Sequence, residues 1–183
     1  MKKVVLTFGL ISGAVSAGLM FATLPFIDKI GFDKGAYVGY SGMVLAFLLV
    51  FFGIRSYRDN VSNGYVTFGR AFSVGILITL VSCVFYVIAW EIIYFNFMPD
   101  FWDKYSNYIV EKARNSGASA AEVAKQVEAM KSFKVTYFDN PFWNVLLVFA
   151  EPFPVGIIVT LLSAIILRRK RKTVNGEQQL AAS

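Results

Sequence analysis

Four long stretches of the chain contain no charged residue, and they constrain the fold more than any other feature. They are residues 4–27, 35–54, 71–90 and 152–167, the last extended backwards by the uncharged run 140–150. A helix rises about 1.5 Å per residue and needs about 20 apolar residues to cross a hydrocarbon core. The pattern predicts an all-α integral membrane protein with four transmembrane helices, at about 4–27, 36–54, 71–93 and 143–167.

The residue inventory excludes several kinds of functional site. The sequence contains no histidine and a single cysteine, Cys83, which lies in the third predicted span. A histidine-based metal site, a histidine-dependent catalytic triad and an intramolecular disulfide are therefore excluded. We interpret Cys83 as a small packing residue, since a reactive thiolate needs a cationic and partly wet setting. Without a phosphate-binding loop, nucleotide fingerprint or nucleophile–base pair, we expect neither an enzyme nor a cofactor.

The first predicted span also has features of a secretory signal. "MKKVVLTFGLISGAVSAG" combines two lysines, an apolar core and small residues at Val15 and Ala17. The uncharged run continues for 24 residues, to Ile27, which is too long for the core of a cleaved signal, so we favour an uncleaved helix. Gly9, Gly13 and Ala17 form a small-residue groove that favours close helix packing, either within the bundle or between two copies of the chain.

The distribution of basic residues predicts the orientation. Four spans place both termini on one side, and the basic residues next to the span ends belong to that side: Arg55, Arg58, Arg70, Arg168, Arg169, Lys170, Arg171 and Lys172. Basic residues at span ends mark the cytoplasmic face and contact anionic lipid head groups, so both termini are expected to be cytoplasmic. The net charge of +6 therefore points to the membrane surface and not to nucleic acid.

The extramembrane segments differ in size. A short charged loop, "DKIGFDKG", is expected to join the first two spans in a hairpin. Residues 97–140 form the longest insert, and "NSGAS" divides it into two amphipathic helices, the second with a capping box from Ser119 to Glu122. We predict an external helical hairpin that forms a lid on the bundle or binds a partner. Residues 1–172 then form a single membrane domain, and 173–183 a disordered cytoplasmic tail.

Three segments of the chain carry a family resemblance. "IRSYRDNVSNGYVTFGRAFSVG", the insert ending in "AMKSF" and the last span "FPVGIIVTLLSAIILRRK" resemble a family of small bacterial four-span membrane proteins with a domain of unknown function. The resemblance covers residues 1 to about 172. It implies a bacterial inner-membrane setting and no catalytic residues.

Two carboxylates interrupt the apolar segments, Glu91 in "VFYVIAWEIIYFNF" and Glu151 in "LLVFAEPFPVGIIV". Counted from the cytoplasmic arginines, Glu91 lies about 31 Å along its helix and Glu151 about 25 Å, so both belong near the outer edge of the core. The structural interpretation is an interfacial Glu91 and a helix-capping Glu151, since Pro152 favours a break there. The functional interpretation is a shared proton or cation site.

Two hypotheses for the function follow. The first is a non-enzymatic accessory or scaffold protein that presents its external helical insert to a membrane-protein partner. The alternative is a small transporter or channel that uses Glu91 and Glu151 near its outer mouth. Four spans leave little room for a central pathway, so the alternative requires a homo-oligomer.

Overall fold

The computed structural model describes residues 1–169, and the regular elements of that part are helical. Seven α-helices follow one another: α1 Lys2–Thr23, α2 Ile27–Asn60, α3 Phe68–Asn96, α4 Phe101–Asn115, α5 Ala120–Phe133, α6 Pro141–Ala150 and α7 Pro152–Leu167. A 3₁₀-helix, Leu24–Phe26, joins α1 to α2, and a π-helical turn, Lys134–Phe138, follows α5. The predicted tail at 173–183 lies outside the described residues.

Three helical stretches are long and apolar enough to cross a membrane, namely Lys2–Asn60, Phe68–Asn96 and Pro141–Leu167. Their outward-facing side chains are apolar as well: Leu45, Ile88 and Ile166 are each more than half exposed. A helix on the surface of a soluble protein places polar residues on that side. The apolar exterior therefore fits a hydrocarbon environment and indicates a membrane protein.

The first of these stretches reverses direction at Gly31. This residue has φ 71° and ψ 166°, a conformation that glycine adopts readily and other residues rarely do. Beyond it α2 packs antiparallel to α1, with Gly42 beside Leu19 and Gly53 beside Phe8. The two helices form the expected hairpin. The turn lies within the predicted connection "DKIGFDKG" but is confined to Gly31, because the charged residues on either side keep helical backbone.

α3 lies at the centre of a four-helix bundle. α1 runs parallel to it, whereas α2 and α7 run antiparallel to it. The Ser12 hydroxyl of α1 donates a hydrogen bond to the Ala46 carbonyl of α2 at 2.9 Å and lies 3.0 Å from the Ser82 hydroxyl of α3. The Thr79 hydroxyl of α3 and the Thr160 hydroxyl of α7 are also hydrogen-bonded to each other, at 3.1 Å. These buried hydroxyls satisfy one another between helices, as side chains in an apolar bundle must.

Small residues allow these helices to approach closely. A Cβ atom at Gly13 of α1 would lie 2.6 Å from the Cβ of Phe85 of α3. A Cβ atom at Gly75 of α3 or Gly156 of α7 would lie similarly close to a threonine of the other helix. The groove predicted on α1 therefore receives α3 of the same chain, which confirms its packing within the bundle. Cys83 is fully buried in α3, as expected for a packing residue.

α4 and α5 form the predicted helical hairpin. The Ser119–Glu122 capping box is present at the start of α5, and α5 packs along α4. Trp102 of α4 is 5% exposed and stacks on Phe133 with ring centroids 5.2 Å apart. Lys134 donates a hydrogen bond to Asp103 at 2.7 Å, which raises the pKa of the lysine. The apolar faces of the two helices thus face each other.

The hairpin is docked on one end of the bundle. Phe32, just after the Gly31 reversal, packs edge-on against Phe101 and Tyr105 of α4, with centroids 5.8 and 5.4 Å apart. Lys112 donates a hydrogen bond to Asp33 at 2.8 Å. Aromatic packing and an exposed ion pair therefore hold α4 against the start of α2.

The opposite end of the bundle is closed by backbone hydrogen bonds. The α2–α3 connection turns at Asn63 and Gly64, with φ 52° and 82°, which are values that asparagine and glycine tolerate. Val66 then exchanges two backbone hydrogen bonds with Arg169, at 2.9 and 3.2 Å. This bridge ties the connection to the end of α7.

Candidate ligand cavity beneath the helical hairpin

A cavity of about 750 Å³ lies where the hairpin covers the bundle. α3 forms its floor, the first half of α2 and the end of α6 form its walls, and α4 with the residues after α5 forms its roof. Its lining is mostly apolar and aromatic, with Phe32, Tyr40, Trp90, Phe101, Phe133 and Leu147 among the larger side chains. Volume and lining both fall in the range typical of small-molecule sites in proteins.

One carboxylate interrupts this apolar lining. Glu151 lies in the wall beside Tyr86, whose hydroxyl donates a hydrogen bond to Glu151 Oε2 at 2.9 Å. Tyr86 is 7% exposed, whereas Glu151 is an exposed residue. Among the described residues the lining contains no lysine or arginine. The Tyr86–Glu151 pair is therefore the polar centre of an otherwise apolar cavity.

The backbone at Glu151 explains its position. Pro152 supplies no amide hydrogen, so the helical ladder is interrupted and α6 ends at Ala150. The predicted break is thus confirmed, although Glu151 itself keeps helical angles, φ −75° and ψ −58°. The capping role predicted for its side chain is wrong: the side chain makes no capping hydrogen bond and accepts one from Tyr86 instead.

Glu91 does not share this cavity. Tyr86, Trp90 and Ile93 follow one another at helical spacing on the face of α3 that lines it, and Glu91 is on a different face. The residue is half-buried, and its Oε1 atom has no hydrogen-bond partner among the described residues. The two glutamates are therefore not joined by a hydrogen bond or a common cavity.

The predicted basic anchors are at the end of the bundle opposite the hairpin. Arg55 and Arg58 lie in the last turns of α2. Their Nε atoms are 3.7 and 2.7 Å from carboxylate oxygens of Asp59. Arg70 is in the first turn of α3, and Arg168 and Arg169 follow α7. Lys170, Arg171 and Lys172 lie outside the described residues. The arginines thus cluster in space as well as in sequence.

Tyr86 is the functional residue that sequence analysis missed. It lies 16 residues beyond Arg70, or about 24 Å of helix, and Glu151 lies 17 residues from Arg168, or about 25 Å. Two side chains at equal depth on neighbouring antiparallel helices are candidates for contact. The distance along the helix from the nearest arginine, which was compared for the two glutamates, also identifies Tyr86 when neutral hydrogen-bond donors are included.

Comparisons with known proteins gave one match. A family described as "Protein of unknown function (DUF4199)" matches residues 7–169. The comparisons with curated proteins and with solved structures found no match. The matched region extends from α1 to the residues that follow α7, and so includes every helix of the bundle, the hairpin and the cavity. The chain therefore belongs to the DUF4199 family of proteins of unknown function.

Proposed function

We propose that the chain is a non-enzymatic accessory or scaffold protein of a bacterial inner membrane. In this proposal it crosses the membrane four times, keeps both termini in the cytoplasm and presents the α4–α5 hairpin on the external side. The observation that carries the proposal is the position of the hairpin, which is docked on one end of an apolar bundle while the arginines occupy the other end.

Four crossings are supported by the reversal at Gly31. The helical stretch Lys2–Asn60 has 59 residues, about 88 Å of helix, nearly three times the thickness of a hydrocarbon core. Folded back at Gly31, it supplies two antiparallel crossings, α1 and the later part of α2. Together with α3 and the α6–α7 stretch, these make four.

The outer surface of the hairpin supports a scaffold role. Its apolar residues face inward, while Glu111, Lys125, Glu128 and Lys131 are exposed. Charges of both signs on such a surface would orient a partner that carries the complementary pattern. A membrane-protein partner or a second copy of the chain would meet this surface outside the bilayer, and anionic lipid head groups would meet the arginines on the opposite side.

Topology is the first test of this proposal. We expect a reporter placed after Ser183 or within 56–69 to be cytoplasmic, and one placed at Gly117, between α4 and α5, to be external. The reason is the cluster of arginines at one end of the bundle. A cytoplasmic reporter at Gly117 would contradict the proposed orientation. Reporters at Ser183 and within 56–69 that lie on opposite sides of the membrane would contradict four crossings.

The small oligomeric transporter or channel remains the second candidate, because Glu151 lines a cavity. Glu91 does not support it, since that residue lies outside the cavity lining. A pathway would need a polar route from Glu151 towards the arginine end. There, the core between the helices is packed with Phe47, Val50, Ile54 and Ile78, all at most 1% exposed.

Substitution of the glutamates separates the two candidates. Glu151→Gln should lower the free energy of unfolding by about 1 kcal/mol or less, because the amide oxygen still accepts the hydrogen bond from Tyr86. Glu91→Gln should be nearly silent. Abundance, thermal unfolding and ion or proton flux in reconstituted vesicles measure both variants. Loss of an existing flux in either variant at normal abundance would support the transporter and contradict the scaffold.

A further inference from the structure

We propose that the cavity beneath the hairpin binds an apolar molecule that carries a protonated amine, with the ammonium group at Glu151 and the apolar body against the aromatic lining. This inference goes beyond the scaffold role, and it holds whichever side of the membrane the hairpin faces. It assigns a ligand class to a cavity that combines a large apolar lining with a carboxylate.

The carboxylate requires a partner. A charged side chain among apolar residues within a hydrocarbon layer is costly even where part of its surface is accessible, unless a counter-charge or several hydrogen bonds compensate it. In residues 1–169, Glu151 accepts one hydrogen bond, from the neutral Tyr86, and no basic side chain lines the cavity. Tyr86 engages Oε2, which leaves Oε1 for a ligand. A ligand ammonium would supply the charge that the protein does not.

The lining favours an ammonium over a metal ion. Ca²⁺ requires six or more oxygen ligands, whereas the cavity offers the Glu151 carboxylate and a few tyrosine hydroxyls. Aromatic faces attract organic cations, and the cavity lining includes Tyr40 and Trp90 as well as Tyr86, which contacts Glu151. One carboxylate surrounded by aromatic rings is therefore suited to an alkylammonium group.

The remaining volume favours an apolar body on that ammonium. Away from Glu151 the wall is formed by side chains such as Met20, Ile27, Phe32 and Phe133. A cavity of about 750 Å³ accommodates a drug-sized molecule or a folded alkyl chain. Residues of α2 and α6, two helices of the apolar bundle, are part of this lining.

The test uses the full chain in lipid nanodiscs at pH 7, with dodecylamine and dodecanol added at equal mole fractions of the lipid. The two probes share the chain and differ in charge. Binding is measured by the thermal unfolding midpoint and by tryptophan emission, since Trp90 and Trp102 line the cavity. We expect dodecylamine to bind at least 10-fold more tightly than dodecanol and to raise the midpoint.

Three variants make the result specific. Glu151→Gln should lower dodecylamine affinity at least 10-fold, to the level of dodecanol, while dodecanol binding persists and shows that the cavity is intact. Glu91→Gln removes the same charge outside the cavity and should leave both affinities unchanged. Ala36→Trp places a large side chain in the cavity wall and should abolish the binding of both probes.

Equal affinities for dodecylamine and dodecanol would overturn the proposal in favour of a general apolar pocket. A loss of dodecylamine binding in Glu91→Gln as large as that in Glu151→Gln would overturn it as well.

Discussion

Gly156→Leu should lower the free energy of unfolding by about 3 kcal/mol, through overpacking at the tightest helix contact of the bundle. Gly156 is on α7 and faces α3, where even a Cβ atom would collide with the Cγ2 of Thr79 and lie 3.1 Å from the Phe47 ring. Both neighbours are at most 1% exposed. Neither can move without displacing the helix behind it, so we expect α7 to separate from α3.

Thermal and denaturant unfolding in detergent measures this loss, and Gly18→Leu is its matched control. Gly18 is in the interior of α1 and has no atom within 4 Å of the position that a Cβ would occupy. Leucine should be neutral there, or stabilising by up to about 1 kcal/mol through its higher helix propensity. Similar losses in the two variants would mean that α3 and α7 do not pack at Gly156.

Trp102→Ala should destabilise the helical hairpin by about 3–5 kcal/mol, the range for removing a buried tryptophan. The indole stacks on Phe133 and lies against Phe138, with centroids 5.2 and 4.4 Å apart. Without it, α5 and the π-helical turn lose their main contact with α4. Amide hydrogen exchange in α4 and α5 should accelerate about 100-fold, while exchange in α3 stays slow.

Trp143→Ala is the control for this effect. Trp143 is in the first turn of α6 and is 42% exposed, so its removal should cost about 1 kcal/mol or less and leave exchange in the hairpin unchanged. Uniform acceleration in both α3 and the hairpin after Trp102→Ala would show that the two unfold as one unit.

Local signals in the sequence were sufficient for most element boundaries. The capping box at Ser119, the break at "NSGAS" and the Asn63–Gly64 turn each depend on a few adjacent residues, and all three are present. Charge-free runs identified the apolar helices because such runs, too, are visible in consecutive residues of the sequence. Such signals are reliable because a cap or a turn satisfies its backbone groups within a few residues.

The helical backbone on either side of Gly31 was not predicted, because charge was taken as evidence against helix. Asp28, Lys29, Asp33 and Lys34 suggested a loop, yet charged residues are compatible with a helix whose end leaves the apolar layer. The cavity was not predictable either. It is lined by residues of α2, α3 and α6 together with aromatic side chains of α4, and this combination does not follow from a hydrophobicity pattern. Glu151 was identified as a candidate, but its tyrosine partner required knowledge of helix pairing.

The hydroxyl pairs between helices have a consequence for assembly during synthesis. The Ser12 hydroxyl reaches the Ala46 carbonyl as soon as the first two helices have left the ribosome, so the early hairpin needs no later helix to satisfy that donor. Ser82 arrives next and meets a Ser12 oxygen that is already oriented, and Thr160 arrives last and meets Thr79. α2 thus supplies a backbone carbonyl to α1, whereas α3 and α7 each supply a hydroxyl to a helix that precedes them in the chain. Order of emergence and order of hydrogen-bond formation therefore coincide, and no intermediate must hold all of its polar groups unsatisfied in lipid.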